Sequence, residues 1–216
     1  MARITRGASR ETLLGEKGRV FHVKQSEATE TRLATFAALL RRWSETVNLI
    51  APGDLPVLRQ RHIDDCLQLV PLLPPTARGI DLGSGAGFPG LVLAIAAGMP
   101  FDLIESDQRK AAFLREAARA TGAPVTIHAS RIERAAVQPA GVVTARALAP
   151  LPRLLGLATP KLADGGVCLF PKGASAETEL TDAAREWHMN VERFPSRTDR
   201  SAQILRISEI ARAERG

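Results

Sequence analysis

The chain has 216 residues, 45% of them hydrophobic and 24% charged, the composition of an ordinary globular domain with a sizeable core, which excludes a disordered or fibrous chain. No apolar run approaches the roughly 18 to 20 residues that span a bilayer, and the basic start Met1-Ala2-Arg3-Ile4-Thr5-Arg6 lacks the apolar stretch of a secretory signal, so a cytoplasmic, membrane-free location is expected. Lys and Arg number 29 against 23 Asp and Glu, a net charge of +6, which favours an anionic partner such as nucleic acid.

In chain order, residues 1–25 carry Arg3, Arg6, Arg10, Lys17, Arg19 and Lys24 with little apolar periodicity. They read as a basic arm, either a solvated tail or a segment that touches RNA phosphates. A helix is predicted from Ser26, which can cap it. Glu27 and Glu30 suit the positive end of its dipole, and Leu33, Phe36, Ala37, Leu40 and Val47 recur at helical spacing. The Pro52-Gly53 turn separates this helix from a second predicted one over residues 55–73, which stops at Pro74-Pro75. Residues 26–75 thus form a helical cap.

Beyond the double proline, short apolar strands alternate with helices, the rhythm of a parallel sheet with crossover helices. Strands are predicted at residues 79–82, 101–105, 125–128, 142–144 and 167–170, with helices at 91–97, 109–121, 151–162 and 176–186. Two last strands, residues 190–194 and 203–207, have no crossover helix between them and suggest an antiparallel hairpin. The expectation is an α/β chain of one domain: the arm, the cap, and a core over residues 76–216 built on a seven-stranded, mostly parallel sheet. Cys66 and Cys168 are too few for a disulfide framework or a zinc site and read as buried small hydrophobes, and no metal is expected.

The strongest chemical signal is Asp81-Leu82-Gly83-Ser84-Gly85-Ala86-Gly87-Phe88-Pro89-Gly90, between the first strand and its helix. Glycines there allow a tight turn and close approach to a ligand, which the helix N-terminus also favours. Residues 85–90 satisfy the dinucleotide fingerprint, so an NAD-dependent oxidoreductase is a rival reading. Three features favour S-adenosylmethionine: Asp81 inside the strand, a loop longer than the dinucleotide turn, and Glu105 at the end of the second strand, placed to accept from ribose hydroxyls. Dinucleotide enzymes share the last of these. Ile132 and Glu133, after the third strand, sit where such folds meet an adenine ring. Arg146, after the fourth, places a cation over the crevice, for a methionine carboxylate, an RNA phosphate or the target base; a structural ion pair is the alternative.

Five motifs together resemble a known family: Trp43-Ser44-Glu45-Thr46-Val47-Asn48-Leu49, Arg61-His62-Ile63-Asp64-Asp65-Cys66-Leu67, the glycine loop, Arg109-Lys110-Ala111-Ala112-Phe113-Leu114, and Arg146-Ala147. On them the chain resembles the bacterial 16S ribosomal RNA guanine-N7 methyltransferases, the glucose-inhibited division protein B family. The resemblance implies a Rossmann-like class I methyltransferase fold, S-adenosylmethionine as cofactor, and 16S ribosomal RNA or the small subunit as partner. It also implies cofactor contact through Gly83, Phe88, Ile132, Glu133 and Arg146, with Glu105 at the acidic ribose position and Lys172 bordering the substrate side; the loop itself adds Gly85 and Gly87 to the expected cofactor contacts, and Arg146 and Arg200 are expected as cations toward the substrate. Asp65-Cys66-Leu67 and Thr144-Ala145-Arg146 stand where the family more usually has Asp-Ser-Leu and a Ser before the Arg.

Guanine N7 carries a lone pair and no proton, so no catalytic acid or base is named and positioning supplies the acceleration. His62 reads as a packed or hydrogen-bonded histidine, and Trp43 and Trp187 as core residues with base stacking the alternative. The arm with Arg41, Arg42, Arg197 and Arg200 is expected to follow phosphates. The chain is expected to act as a monomer. Besides the dehydrogenase, a non-enzymatic RNA-binding protein and a small-molecule methyltransferase are the remaining rivals, the last without the basic excess seen here.

Overall fold

The computed structural model describes residues 26–75 and 78–213; the expected basic arm lies outside the described residues. Strands β1 (Gly79–Leu82), β2 (Phe101–Ile104), β3 (Val125–His128), β4 (Ala140–Thr144), β5 (Leu162–Lys172), β6 (Trp187–Pro195) and β7 (Gln203–Arg212) form one sheet in the order β3-β2-β1-β4-β5-β7-β6. The first five are parallel, and β7 runs antiparallel to both β5 and β6. The chain winds outward from β1 through β2 and β3, then returns to start β4 on the other side of β1. That reversal opens a crevice at the carboxyl ends of β1 and β4, where ligands bind in sheets of this kind.

Helices cover both faces: α1 (Glu27–Ser44), α3 (Gly90–Ala97) and α4 (Gln108–Thr121) on one, α5 (Leu151–Ala158) and α6 (Ala176–Ala183) on the other. Strand alternation sorts the core between them. Leu103, Val142, Leu169 and Ile204 pack with α1, α3 and α4, whereas Ile104, Val143, Cys168, Phe170 and Leu205 pack with α5 and α6. Both cysteines are free and buried.

The cap is fastened by its own polar groups. Ser26 caps α1 by accepting from the Thr29 N–H at 3.2 Å, and Asp107 caps α4 by accepting from the N–H groups of Arg109 and Lys110. From α1, Arg32 donates to the Thr121 carbonyl at 2.7 Å and the Gly122 carbonyl at 2.9 Å, satisfying the carbonyl end of α4 and placing a cation at the negative end of its dipole.

The predicted second helix is broken. Residues 52–72 fold as the 3-10 turn Pro52–Asp54, a π-helical stretch Arg59–Asp64, the short α2 (Asp65–Leu67) and the 3-10 turn Val70–Leu72. Pro52, Pro56 and Pro71 supply no N–H, so one continuous ladder cannot run through them. Likewise α5 ends at Ala158, with Pro160 in the 3-10 turn Thr159–Lys161, and β5 starts five residues earlier than the apolar run that signals it. Among the described residues no helix is long and apolar enough to cross a membrane, and no cluster of His, Cys, Asp and Glu could hold a metal ion.

Candidate active site

The loop from β1 to α3 turns on Gly83, Gly85 and Gly87, with φ of +64°, +54° and +92°. A Cβ on Gly83 would lie 2.7 Å from Leu148 Cδ1; one on Gly85 would make only ordinary contact with the Gly83 carbonyl at 3.8 Å, so that position requires glycine through its backbone angle alone. The Ser84 carbonyl accepts from the N–H groups of Gly87 and Phe88, which closes the turn. Beneath it, Asp81 is fully buried. Its Oδ1 accepts from the Thr144 hydroxyl at 2.6 Å, while Oδ2 is buried without a hydrogen bond. Thr144 thus keeps a hydroxyl donor for Asp81.

Burial pushes the Asp81 carboxyl up to about 6, against the lowering pull of the Thr144 and Ser84 hydroxyls, the Gly90 N–H and the Arg146 charge. Because the folded value lies above the unfolded 3.8, stability from this group is fully present below the unfolded value and is lost as pH rises through about 6. An ammonium-bearing ligand near the loop would favour the ionised carboxylate. We therefore expect affinity for S-adenosylhomocysteine to fall as pH drops through about 6 in calorimetric titrations, and Asp81→Asn to flatten that dependence.

Glu105 follows β2 and uses both oxygens on backbone donors, Gly85 N–H at 2.8 Å and Asp107 N–H at 2.7 Å. It therefore braces the glycine loop, and each oxygen keeps a lone pair for a ligand hydroxyl. The cavity in front of it holds about 480 Å³ and is lined by Gly83, Gly85, Glu105, Ile132, Glu133 and Leu148. Lys110, Arg131 and Arg153 also reach this cavity, which their spacing in the sequence did not signal. Gly87 does not line it: a Cβ there would lie 3.1 Å from Leu91 and 3.4 Å from Leu114, so its lack of a side chain serves helix packing. Phe88 turns to the other side of the loop, onto a smaller cavity of about 200 Å³ shared with Asp54, His62 and Arg146.

A third and larger cleft, about 1030 Å³, contains Arg146, Lys172 and Arg200 together with Asp54, Asp65 and Glu179. Arg146 forms the ion pair that was its structural alternative, Nη1 to Asp65 Oδ2 at 3.3 Å, and also lines the cleft. Lys172 donates to the Ala149 carbonyl at 3.0 Å and to Glu179 at 2.7 Å. The three cavities meet at Ala147, whose φ of +51° is unusual for a residue with a side chain and holds the chain between them. Trp43 donates to Glu116 and packs on Phe113, and Trp187 is buried beneath Arg212; neither lines these cavities.

A family profile described as rRNA small subunit methyltransferase G, GidB, matches residues 29–204. The chain belongs to this family. The ribosomal RNA small subunit methyltransferase G of Granulibacter bethesdensis is 58% identical over 188 residues, covering 87% of this chain and 88% of that one. Its counterpart in Rhodospirillum centenum is 57% identical over 187 residues, covering 86% and 87%. The O-methyltransferase of Bacillus cereus, solved in complex with SAH, shares the fold with a TM-score of 0.53 at 13% identity over 87% of this chain and 93% of that chain. As a member of the methyltransferase G family the chain is an S-adenosylmethionine-dependent ribosomal RNA methyltransferase, which sets aside the dehydrogenase and the binding-only readings. The residues present fit that cofactor. A left-handed glycine cradle opens on a cavity lined by the Glu105 carboxylate, and an orphaned carboxylate oxygen lies beneath the loop.

Proposed function

We propose that this methyltransferase modifies N7 of one guanine in 16S ribosomal RNA, with the adenosine of its cofactor in the cavity before Glu105 and the RNA in the large cleft that holds Arg146, Lys172 and Arg200. S-adenosylmethionine, when bound, supplies an electrophilic methyl group on a sulfonium. Gly83 and Gly85 let the backbone approach it, Glu105 accepts from its ribose hydroxyls, and Ile132 and Glu133 border its base. Arg146 stands between cofactor and RNA, and Lys172 and Arg200 face the RNA. The cap and the sheet share one apolar cluster, which supports a single domain, and we infer that it acts as a monomer.

The observation that carries the N7 assignment is how the acids of the cleft are spent. Asp54 faces His62 and Arg61; Asp65 takes Arg146, Thr198 and Gln68; Glu179 takes Lys172, Ser175 and the Leu151 N–H; and Asp199 takes the hydroxyl and N–H of Ser201, which hold its carboxyl below the ordinary value. Both ring nitrogens of His62 are engaged as well. None of these groups is left to remove a proton, and N7 has none to give up, so alignment at about 3 to 3.5 Å is what the site must supply. Guanine N7 is hard to reach in the deep major groove of A-form RNA, which favours a target in a loop or a locally opened stem.

Nucleoside mass spectrometry of small-subunit RNA tests this reading. Cells lacking the protein should lose one N7-methylguanosine, and the purified protein should restore it on their RNA or subunits. An unchanged N7-methylguanosine content, or a methyl group restored at another atom, would refute it. RNA affinity should also fall steeply as salt rises, because the cations of the cleft displace counterions.

A further inference from the structure

We propose that His62 is a positioning residue which, in its neutral form with the proton on Nε2, holds the Arg146 guanidinium at the junction of the glycine loop and the cleft. The inference rests on the reading of that cleft as the RNA side of the enzyme. A guanidinium has donors only. Arg146 Nη2 lies 2.9 Å from His62 Nδ1, so Nδ1 must carry a lone pair. The ring proton then belongs on Nε2, which is 3.2 Å from Asp54 Oδ2 and donates to it.

The guanidinium is held from two other sides. Nη1 reaches Asp65 Oδ2 at 3.3 Å, and Asp65 is itself fixed by the Thr198 hydroxyl at 2.7 Å and the Gln68 amide at 2.8 Å. Arg146 Cζ sits 4.9 Å from the centre of the Phe88 ring, and the His62 ring stacks on the same phenyl at 5.1 Å with 19° between planes. Phe88 belongs to the glycine loop, while His62 and Asp65 belong to the π-helical stretch and the α2 turn that follows it. Cap, loop and the segment after β4 therefore converge on one cation, which borders both the cleft and the smaller cavity beside the loop.

The charged groups facing His62 are Asp54 from the Pro52–Asp54 turn, Arg61 from its own segment and Arg146 from the segment after β4; Asp65 and Asp81 act on it through Arg146. Burial and the two arginines lower its pKa, and Asp54 opposes them. A proton on Nδ1 would turn the acceptor into a donor aimed at the guanidinium, breaking the bond and setting two like charges together. The consequence is an acid limb in methyl transfer that belongs to His62, apart from the cofactor-affinity limb assigned to Asp81.

Single-turnover methylation of small-subunit RNA at saturating S-adenosylmethionine, measured from pH 5.5 to 8, separates the two. His62→Asn keeps an acceptor, Oδ1, near the Nδ1 position and cannot titrate, so it should retain most of the neutral-pH rate and lose the acid limb. His62→Leu should lose roughly tenfold at neutral pH, the scale of one hydrogen bond to a charged group, and approach the wild-type rate in acid, where the wild type has lost that bond as well. A wild-type acid limb in His62→Asn, or a wild-type rate at neutral pH in His62→Leu, would overturn the proposal. Nitrogen-15 spectra of the wild-type protein decide independently of folding in the variants: Nδ1 should be bare and Nε2 protonated at pH 7.5, and the opposite tautomer would overturn it. If the wild type methylated no ribosomal RNA, the function reading would fall instead, and the tautomer would still be decided by the spectra.

Discussion

Replacing Glu105 with alanine is expected to weaken S-adenosylhomocysteine binding about a hundredfold in calorimetric titrations, with little change in the unfolding midpoint. The carboxylate accepts from the Gly85 N–H, accepts from the Asp107 N–H, and lines the cavity proposed to hold the adenosine. Hydrogen bonds to a charged group contribute roughly 1.5 to 3 kcal/mol each, so losing the brace together with the ligand contact costs about 3 kcal/mol of binding. Most of that loss is expressed only when the ligand needs a loop already in shape, which is why stability changes little. Glu105→Gln should fare almost as badly. Its amide offers one oxygen where two backbone donors wait, and its NH2 group would face one of them. Affinity within threefold of wild type in both variants would show that the brace is dispensable.

Gly90→Ala is expected to destabilise the fold by about 3 kcal/mol, read from urea unfolding, and to abolish cofactor binding at concentrations that saturate the wild type. A Cβ there would lie 2.5 Å from Asp81 Cβ and 2.6 Å from Leu103 Cδ2, two fully buried neighbours on β1 and β2. Neither can swing away, so α3 must lift from the sheet, and the glycine loop that leads into it must move. Gly98→Ala is the control. Unlike Gly90 it sits in the left-handed region, φ +65°, but its Cβ would meet open space, so it should cost only about 1 kcal/mol of backbone strain and leave the cofactor site intact. Equal effects of the two substitutions would contradict the close-packing argument.

These two residues also mark what the amino-acid sequence discloses. Glu105 is legible as an acid at the end of a strand, because alternation and the glycine turn place it, but its brace on Gly85 depends on how the loop folds back and leaves no local signal. The sheet and its crossover helices follow from periodicity, and the motifs of the glycine loop point to the cofactor. Gly87 and Phe88 belong to that same motif, yet one serves helix packing and the other lies under His62 and Arg146. The partners of Arg146 lie 81 and 84 residues away along the chain, on a segment whose helical pattern hides a π-helical turn between prolines. Asp54 carries no motif at all and becomes visible only once that segment folds over the loop. Long-range ion pairs of this kind are set by tertiary packing, and spacing along the chain carries no record of them.

The most direct test is a crystal structure grown with S-adenosylhomocysteine. The adenosine should fill the cavity before Glu105, both ribose hydroxyls on that carboxylate, with the sulfur turned toward Ala147 and the cleft beyond it. Density for the ligand anywhere else, or a nicotinamide dinucleotide displacing it from that cavity, would contradict the account.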